Sequence, residues 1–483
     1  MVSEIWKLSA TQVAHAIAEG DISSREAVEA SLERLAQVEP HLNAFSDHVA
    51  DAVRHADEAD VRRARGESLG ALHGVPIAVK ENHDLVGFPT THGVPALRDA
   101  VPARRNGPPV ERYVEAGAVI IGRTRMPPFG QRWTTQSDFY GPTRNPYDPS
   151  VTAGGSTGGG AAAVAAGVVS IAQGNDMGGS LRYPASVCGV TALRPTVRKV
   201  PWWTSGENEG IRLASREFLV DGPLARNVAD LRLALSVIAR PDARDPEATP
   251  GHALPATDSP RIGVVVDPGD MPFAGASSPE VDASLRAAAA TLRSCGYEVD
   301  EISVPALGEA AGLWLQMTFE DYGVASFASE LDAFGDDGMR FKWNAVTRLV
   351  REEFGDRSLE GYLAAVQRRS LLRRTISELM VDYPVLLLPN SGEEPFGLGG
   401  DVTSLDRVRE LLRSQWPSLS VPFMALPGVG LATQPRAGRA PLGVHLIGRA
   451  FDEETILRVA EQIEATTSFG EPVDPVLPVG SRS

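Results

Sequence analysis

The sequence has few cysteines and no long apolar run. Its 483 residues include two cysteines, Cys188 and Cys295, too few for the disulfide framework of a small secreted protein. No stretch of about 18 apolar residues occurs, so no transmembrane helix is predicted. The first ten residues show no basic segment followed by an apolar core, as a secretory leader would. These absences favour a cytoplasmic protein.

Histidine and positive charge are also sparse. The nine histidines show no ligand spacing such as H-E-x-x-H, so neither a metal nor another cofactor is expected. A formal net charge of -16 without a basic patch argues against binding to nucleic acid or an anionic membrane. The 43% of hydrophobic and 22% of charged residues instead predict a soluble globular protein with a sizeable core.

A lysine closes an apolar run in the segment Gly74-Val-Pro-Ile-Ala-Val-Lys80. The run predicts a buried strand from Val75 to Val79 with Lys80 at its C-terminal end, where catalytic groups of sheet-based enzymes often lie. Burial would lower the pKa of the ammonium group and supply a neutral base near pH 7. The alternative is an edge lysine whose ammonium reaches water.

Two serines lie in glycine-rich loops 24 residues apart, Ser156 in Gly154-Gly-Ser-Thr-Gly-Gly159 and Ser180 in Asp176-Met-Gly-Gly-Ser180. Glycines let successive N–H groups point into one concavity, which is how an oxyanion hole is built. Each loop alone would pass as a plain turn. The expected oxyanion donors are the backbone amides of Met177, Gly178, Gly179 and Ser180.

Together these segments resemble the amidase signature family. The match runs nearly continuously from Asn145 to Thr196, and includes Asn145-Pro-Tyr-Asp-Pro149 and Arg182-Tyr-Pro-Ala-Ser-Val-Cys-Gly189. A later segment, Pro441-Leu-Gly-Val-His-Leu-Ile-Gly-Arg449, is similar to the C-terminal strand signature of that family. The resemblance therefore covers most of the chain.

The resemblance implies a metal-independent hydrolase of linear or cyclic amides. Ser180 would be the nucleophile that forms an acyl-enzyme, Ser156 a proton relay that follows a cis peptide bond, and Lys80 the base. Supporting roles are implied for Thr157, which keeps a hydroxyl where a second serine is common, and for Asp176 and Arg182, which would hold the nucleophile loop. Two further departures from the family pattern are Asn175 and Glu81, which either retune the lysine environment or preserve packing.

One alternative fails on its sequence context, and two others stay open. Gly154-Gly-Ser-Thr-Gly158 fits the G-x-S-x-G elbow of α/β-hydrolases, but no hydrophobic strand precedes it, and His252 and His445 are the downstream histidines for a triad. The same site could serve an esterase or a carbamate hydrolase. The chain could also be a glutamine-hydrolysing subunit of an amidotransferase-like complex, in which case a second subunit would be required.

Apolar strand candidates at 75–79, 119–122, 168–172, 262–266, 385–388 and 444–447 alternate with helical patterns, as at 228–238, which predicts an α/β fold. Ser23 or Ser24 is predicted to cap an earlier helix. The resemblance implies a single large domain over residues 1–483, with a mixed, twisted central sheet covered by helices on both faces and a core signature at about 70–200. Residues 240–260 are rich in proline and charge and predict a surface connection between two halves. A homodimer is left open.

Substrate choice is expected to depend on three segments rich in aromatic residues, 127–139, 202–218 and 314–354. Their side chains would form an apolar pocket for a small-molecule amide, although ordinary core packing explains any one of them equally well. The predicted pocket residues are Phe129, Trp133, Trp314, Tyr322 and Trp343.

Overall fold

The computed structural model describes residues 4–205, 211–324 and 327–477. Within them, a large sheet and a two-stranded ribbon are accompanied by helices throughout the chain. The strands are β1 (Phe45–His48), β2 (Pro76–Lys80), β3 (Val119–Thr124), β4 (Gln136–Ser137), β5 (Gly141–Pro142), β6 (Ile171–Asp176), β7 (Thr191–Arg194), β8 (Val220–Ala225), β9 (Ile262–Asp267), β10 (Val299–Ser303), β11 (Val385–Pro389), β12 (Gly428–Arg436) and β13 (Arg439–Gly448).

The helices lie before, between and after these strands. The α-helices are α1 (Ala10–Glu19), α2 (Ser24–Leu42), α3 (Ala52–Ala64), α4 (Pro108–Glu115), α5 (Gly158–Ala165), α6 (Arg182–Val187), α7 (Leu213–Phe218), α8 (Val228–Ile238), α9 (Pro279–Ser294), α10 (Pro305–Val324), α11 (Phe327–Phe334), α12 (Asp337–Phe354), α13 (Leu359–Asp382), α14 (Leu405–Ser414), α15 (Trp416–Met424) and α16 (Glu453–Glu464). Short 3-10 helices are at Ile5–Lys7, Pro95–Leu97 and Pro128–Gly130.

The large sheet is mixed, as predicted. Its strand order is β1-β3-β2-β6-β8-β7-β12-β13-β11-β9-β10. β2 runs parallel to β3 and β6, and β9 runs parallel to β10 and β11, while the strands between these groups pair antiparallel. The centre of the sheet joins the two halves of the chain, because β7 pairs with β12.

Both faces of the sheet are buried under helices. Along β2, Ile77 and Val79 pack into one hydrophobic core and Ala78 packs into the other, since successive side chains of a strand point to opposite faces. Every residue of β2 is buried, including its last, Lys80. The chain therefore forms a single-domain α/β fold with a large mixed sheet, which confirms the predicted fold class.

Strongly patterned elements agree with their sequence predictions. Ser23 caps α2 and accepts a hydrogen bond from the Glu26 amide, in a capping box, and α8 begins and ends where its pattern does. Residues 239–261 contain no helix or strand and connect α8 to β9. The strand predicted from Val168 to Ala172 is shifted, because α5 ends in a turn and β6 begins only at Ile171.

The described residues contain no helix that is long and apolar enough to cross a membrane.

Candidate active site

Lys80 is the last residue of β2, and its side chain is completely buried, with 0% exposed. Its Nζ donates hydrogen bonds to Ser156 Oγ at 2.8 Å and to Asn175 Oδ1 at 2.6 Å. Burial lowers the pKa of Lys80 to about 7, although the negative charges of Asp221, Asp176 and Glu81 oppose the shift. The structure thus excludes the edge lysine and shows a group that loses its proton near neutral pH.

Ser156 lies in the loop that leads into α5. The Gly155–Ser156 peptide bond is cis, in agreement with the resemblance. A Cβ atom at Gly155 would come within 2.5 Å of the Arg132 carbonyl oxygen and 2.6 Å of the Thr134 amide nitrogen, so only glycine fits there. Close backbone approach therefore explains why this loop is rich in glycine.

Thr157 joins the two serine loops. Its amide donates to the Ser180 carbonyl oxygen at 3.2 Å, and its hydroxyl donates to the Asn175 carbonyl oxygen at 3.4 Å. Thr157 has no exposed surface, so both hydrogen bonds are shielded from water. The loop that holds Ser156 is consequently tied to the end of β6 and to the segment that holds Ser180.

Asp176, the last residue of β6, organises the Ser180 loop. Its carboxylate accepts hydrogen bonds from the amides of Gly179 at 2.9 Å and Leu181 at 3.2 Å, and a bidentate pair from Arg182 at 2.8 and 2.9 Å. Gly179 has φ +97°, and a Cβ there would lie 2.4 Å from Ser418 Oγ. The loop thus depends on a carboxylate anchor and on a residue without a side chain.

A second buried arginine completes this charge cluster. Arg194 also contacts the Asp176 carboxylate, at 3.4 Å. Burial alone would raise the pKa of Asp176, but the charges of Arg182 and Arg194 and the hydrogen bonds to the carboxylate hold it well below its usual range. Asp176 is therefore a permanent anion at neutral pH, as a positioning residue requires.

The expected oxyanion donors are not equivalent. The Gly179 amide donates to Asp176, so its hydrogen is already committed within the loop. This engagement departs from the expectation that all four amides, from Met177 to Ser180, are available. Ser180 itself is partly exposed, whereas Lys80 and Ser156 are buried, as suits a nucleophile that must meet a substrate while its base is kept from water.

Ser180 opens into a small cavity of about 70 Å³. Trp133 and Trp314 line it and donate from their indole nitrogens to the backbone oxygens of Gly178 at 2.8 Å and Met177 at 3.0 Å. Two predicted pocket residues therefore also orient the peptide groups of the nucleophile loop. A larger groove of about 1110 Å³ runs past α3 and contains none of the Ser-Ser-Lys residues.

The other three predicted pocket residues do not line this cavity. Phe129, Tyr322 and Trp343 surround the ring of Phe327, with centroid distances of 5.5, 5.2 and 4.9 Å. The pocket prediction needs correction here, because large aromatic rings pack edge-to-face against one another as readily as against a ligand. Phe319, another aromatic residue of the predicted segment 314–354, does line the cavity.

The α/β-hydrolase alternative finds no support in the site. Among the described residues preceding Ser156, positions 147–153 form only isolated bridges instead of a strand. His445 is buried on β13 and lies 3.2 Å from Arg182, and burial lowers its pKa well below the usual value. His252 packs edge-on against Phe451. Neither histidine contacts the serine that this elbow would use.

Several cavity residues were not recognised from the sequence, three of which matter below. Arg132, Thr318 and Lys342 line it together with Ser180, yet they come from the segment before β4 and from helices α10 and α12. No short motif contains them, and their only sequence signal is a position inside the aromatic-rich segments. The part of the chain that the structure describes holds no group of three or more histidine, cysteine or acidic residues placed to bind a metal ion.

Comparisons with known proteins agree with this geometry. The sequence profile of the family described as Amidase matches residues 26–457. The chain is 36% identical over 467 residues to the indoleacetamide hydrolase of Bradyrhizobium diazoefficiens, covering 95% of this chain and 86% of that protein. It is 32% identical to a glutamyl-tRNA(Gln) amidotransferase subunit of a Synechococcus strain, covering 92% and 93% of the two chains.

A solved structure shares the fold. A bacterial aryl acylamidase of the amidase signature family superposes with a TM-score of 0.81 at 24% identity, covering 96% of this chain and 97% of that one. The profile match spans most of the chain, and the curated relatives match over nearly their whole length. The chain therefore belongs to the amidase family, and it is an amidase signature amidohydrolase that acts on carbon–nitrogen bonds other than peptide bonds.

Proposed function

We propose that the protein hydrolyses a small-molecule amide to an acid and an amine or ammonia, through an acyl-enzyme on Ser180. The observation that carries this proposal is the buried hydrogen bond from Lys80 Nζ to Ser156 Oγ. A lysine with a pKa of about 7 is half neutral at neutral pH, and a hydroxyl in contact with it can pass protons onward. The amide of Thr157, the residue after Ser156, donates to the Ser180 carbonyl oxygen and links the two serine loops.

Asn175 prepares Lys80 for the role of base. A neutral amine has two N–H groups and one lone pair, and the Asn175 oxygen takes one N–H at 2.6 Å. The lone pair can then face the Ser156 hydroxyl. We infer that Asn175, a departure from the family pattern, tunes Lys80 through this hydrogen bond.

Acylation begins when Ser180 Oγ forms a bond to the amide carbon. Its proton passes to Ser156, and the Ser156 proton passes to Lys80. The carbon–nitrogen bond then breaks as the proton returns through Ser156 to the leaving nitrogen. Water attacks the resulting ester and gives a proton to the same relay. The bond to Ser180 Oγ then breaks as the relay returns that proton to Ser180 Oγ, which releases the acid and restores the serine hydroxyl.

The charge that develops on the carbonyl oxygen needs fixed donors nearby. Since the Gly179 amide is engaged by Asp176, we assign this role to the amides of Met177, Gly178 and Ser180. One such donor contributes about 3–4 kcal/mol to the transition state. The indole of Trp314 holds the peptide group that carries the Gly178 amide. The indole of Trp133 holds the next peptide group, whose Gly179 amide is bonded to Asp176.

A glutamine-hydrolysing subunit of an amidotransferase-like complex is the second candidate function, because 32% identity connects the chain to a protein of that kind. Esters and carbamates would react at the same serine. We also retain as proposals a single domain over residues 1–483, a cytoplasmic location, no nucleic-acid or membrane partner and no cofactor. A homodimer is left open.

The test is labelling with a serine-directed fluorophosphonate, followed by intact-mass analysis, peptide mapping and an amide screen for released amine. We expect one adduct, on Ser180, and turnover of at least one primary or aryl amide. Ser180→Ala should lose the adduct and reduce turnover by about 10³-fold or more. Ser150→Ala, at an exposed serine outside the site, is the control and should behave as the native protein.

Two outcomes would change the assignment. An adduct that maps to Ser156 would exchange the roles of the two serines. A well-folded protein with neither adduct nor turnover would contradict the free-standing amidase, and co-purification with a second subunit that restores glutamine hydrolysis would favour the amidotransferase function instead.

A further inference from the structure

Two residues that line the Ser180 cavity have buried polar atoms without partners among the described residues. Lys342 on α12 is 5% exposed and Thr318 on α10 is 2% exposed. Across residues 4–205, 211–324 and 327–477, neither Lys342 Nζ nor Thr318 Oγ1 finds a hydrogen-bond partner. Both residues line the cavity into which Ser180 opens. The proposed reaction uses neither of them.

Lys342 has no hydrogen-bonded counter-ion among the described residues. Its ammonium lies 4.2 Å from the centre of the Trp133 ring. The nearby carboxylate of Asp401 is occupied by a bidentate ion pair with Arg132, at 2.6 and 2.9 Å. Burial lowers the pKa of Lys342 to about 8, while Asp401 raises and Arg132 lowers it, so the group is still mostly charged at neutral pH.

Such an arrangement is unfavourable unless something else completes it. A buried charge without a hydrogen-bonded counter-ion, and a buried hydroxyl without an acceptor, both raise the free energy of the folded state. The ring of Trp133 compensates only in part. A ligand group that accepts hydrogen bonds from both atoms and carries a negative charge would remove both costs.

We propose that Lys342 and Thr318 bind a carboxylate of the substrate. The preferred substrates are then monoamides of dicarboxylic acids, with the amide carbonyl at Ser180 and the carboxylate at these two side chains. The apolar lining, which includes Trp314, Phe319 and Val346, contacts the methylene groups between the two ends. This inference rests on the proposed amidase function and names its substrate class.

The test compares two substrate series of equal length. One is succinamic, glutaramic and adipamic acid, and the other is butanamide, pentanamide and hexanamide. We expect the native protein to favour one member of the charged series over its neutral partner, by about tenfold to a hundredfold in kcat/KM. Lys342→Met should erase this preference, through a higher KM for the charged member.

Matched variants separate the carboxylate site from general effects. Thr318→Val should weaken the preference several-fold. Thr347→Val is the control, because its hydroxyl is likewise buried without a partner among the described residues, on the same helix as Lys342, yet it does not line the cavity. It should leave the preference unchanged. Lys342→Gln keeps a donor but removes the charge, so it should act like Lys342→Met and serves if the methionine variant does not fold.

Binding to Ser180→Ala by calorimetry distinguishes failure of this inference from failure of the proposed function. If the native protein hydrolyses no amide but Ser180→Ala binds glutaramic acid and Ser180→Ala with Lys342→Met does not, the carboxylate site stands and the amidase proposal fails. Equal kcat/KM for both series, unchanged by Lys342→Met, would overturn the carboxylate site alone.

Discussion

Residues 154–182 and the covering helices α10 and α12 both bury polar side chains around Ser180. In residues 154–182, the serine segment, Asp176 is hydrogen-bonded to Arg182 and to two backbone amides. Ser156 is hydrogen-bonded to Lys80. In the helices, Thr318 and Lys342 have buried polar atoms with no partner among the described residues. Asp176 and Ser156 are thus paired within the protein, whereas Thr318 and Lys342 are left to a ligand.

This difference separates chemistry from selection. A proton relay must keep the same geometry for every substrate, so its groups are held by fixed neighbours. A subsite must pair with the substrate, so its groups stay unpaired until a substrate arrives. Substitutions in residues 154–182 are therefore expected to lower the reaction rate or the stability of the protein. Substitutions in α10 and α12 are expected to lower the preference for one substrate over another.

Replacing Lys80 by Met should produce the largest effect. Loss of the base should lower kcat for an amide by about 10²–10⁴-fold. Esters should suffer less, because an alkoxide leaves without the proton that an amine requires. Steady-state kinetics on an amide and an ester with the same acyl group measure the split. Lys199→Met is the control, since this buried lysine bonds to the His252 carbonyl oxygen away from the site; equal losses on amide and ester would contradict the role of Lys80.

The pH dependence of the native protein should report the same group. With a pKa of about 7 for Lys80, kcat/KM should rise about tenfold per pH unit below 7 and level off above it, since only the neutral amine acts as a base. The stability of the folded protein should also increase with pH. Between about pH 7 and 10 the unfolded chain holds a proton on Lys80 that the folded protein has released, so the free energy of unfolding should rise with pH relative to Lys80→Met. Urea unfolding across this range tests it, and parallel curves would contradict the lowered pKa.

Asp176→Asn should have the next largest effect, on stability. The change leaves Arg182 and Arg194 buried without their counter-ion, which costs about 3–5 kcal/mol when one partner of a buried ion pair is removed. Chemical denaturation measures this loss. Asp406→Asn provides the control, because that carboxylate pairs with Arg409 at the surface and its loss should cost under about 1 kcal/mol. A similar loss of stability in both variants would contradict the expected difference between the buried ion pairs of Asp176 and a surface ion pair.

The parts of the site that could be predicted from the sequence are those formed by residues adjacent in the chain. Lys80 follows a strand pattern, and the Ser156 and Ser180 loops carry glycines that close backbone contacts require, as at Gly155 and Gly179. Strand β2 and helix α8 were predicted for the same reason, because hydrophobic periodicity is local. β8 was missed, since the glycine and proline within Val220–Ala225 conceal its pattern.

The cavity could not be predicted in the same way. Its walls come from α10, α12 and the segment before β4, which are far apart in the chain. Nothing local distinguishes Trp314, which lines the cavity, from Trp343, which packs on Phe327. Nor does sequence reveal that Asp401 is occupied by Arg132 and leaves Lys342 without a partner among the described residues. Tertiary packing sets the direction in which a helical side chain points. That direction determines which of these residues line the cavity and which pair with one another.

The smallest predicted effect concerns Trp314, where the two regions meet. Trp314→Phe removes the indole bond to the Met177 carbonyl oxygen, a loss of about 1 kcal/mol, and should lower kcat by about fivefold with an amide. Trp416→Phe makes the same chemical change at a buried indole whose nitrogen has no partner among the described residues, so it should leave kcat unaltered. If both variants lower kcat equally, aromatic packing and not the indole bond would be what orients the nucleophile loop, and the helices would support the chemistry only through their bulk.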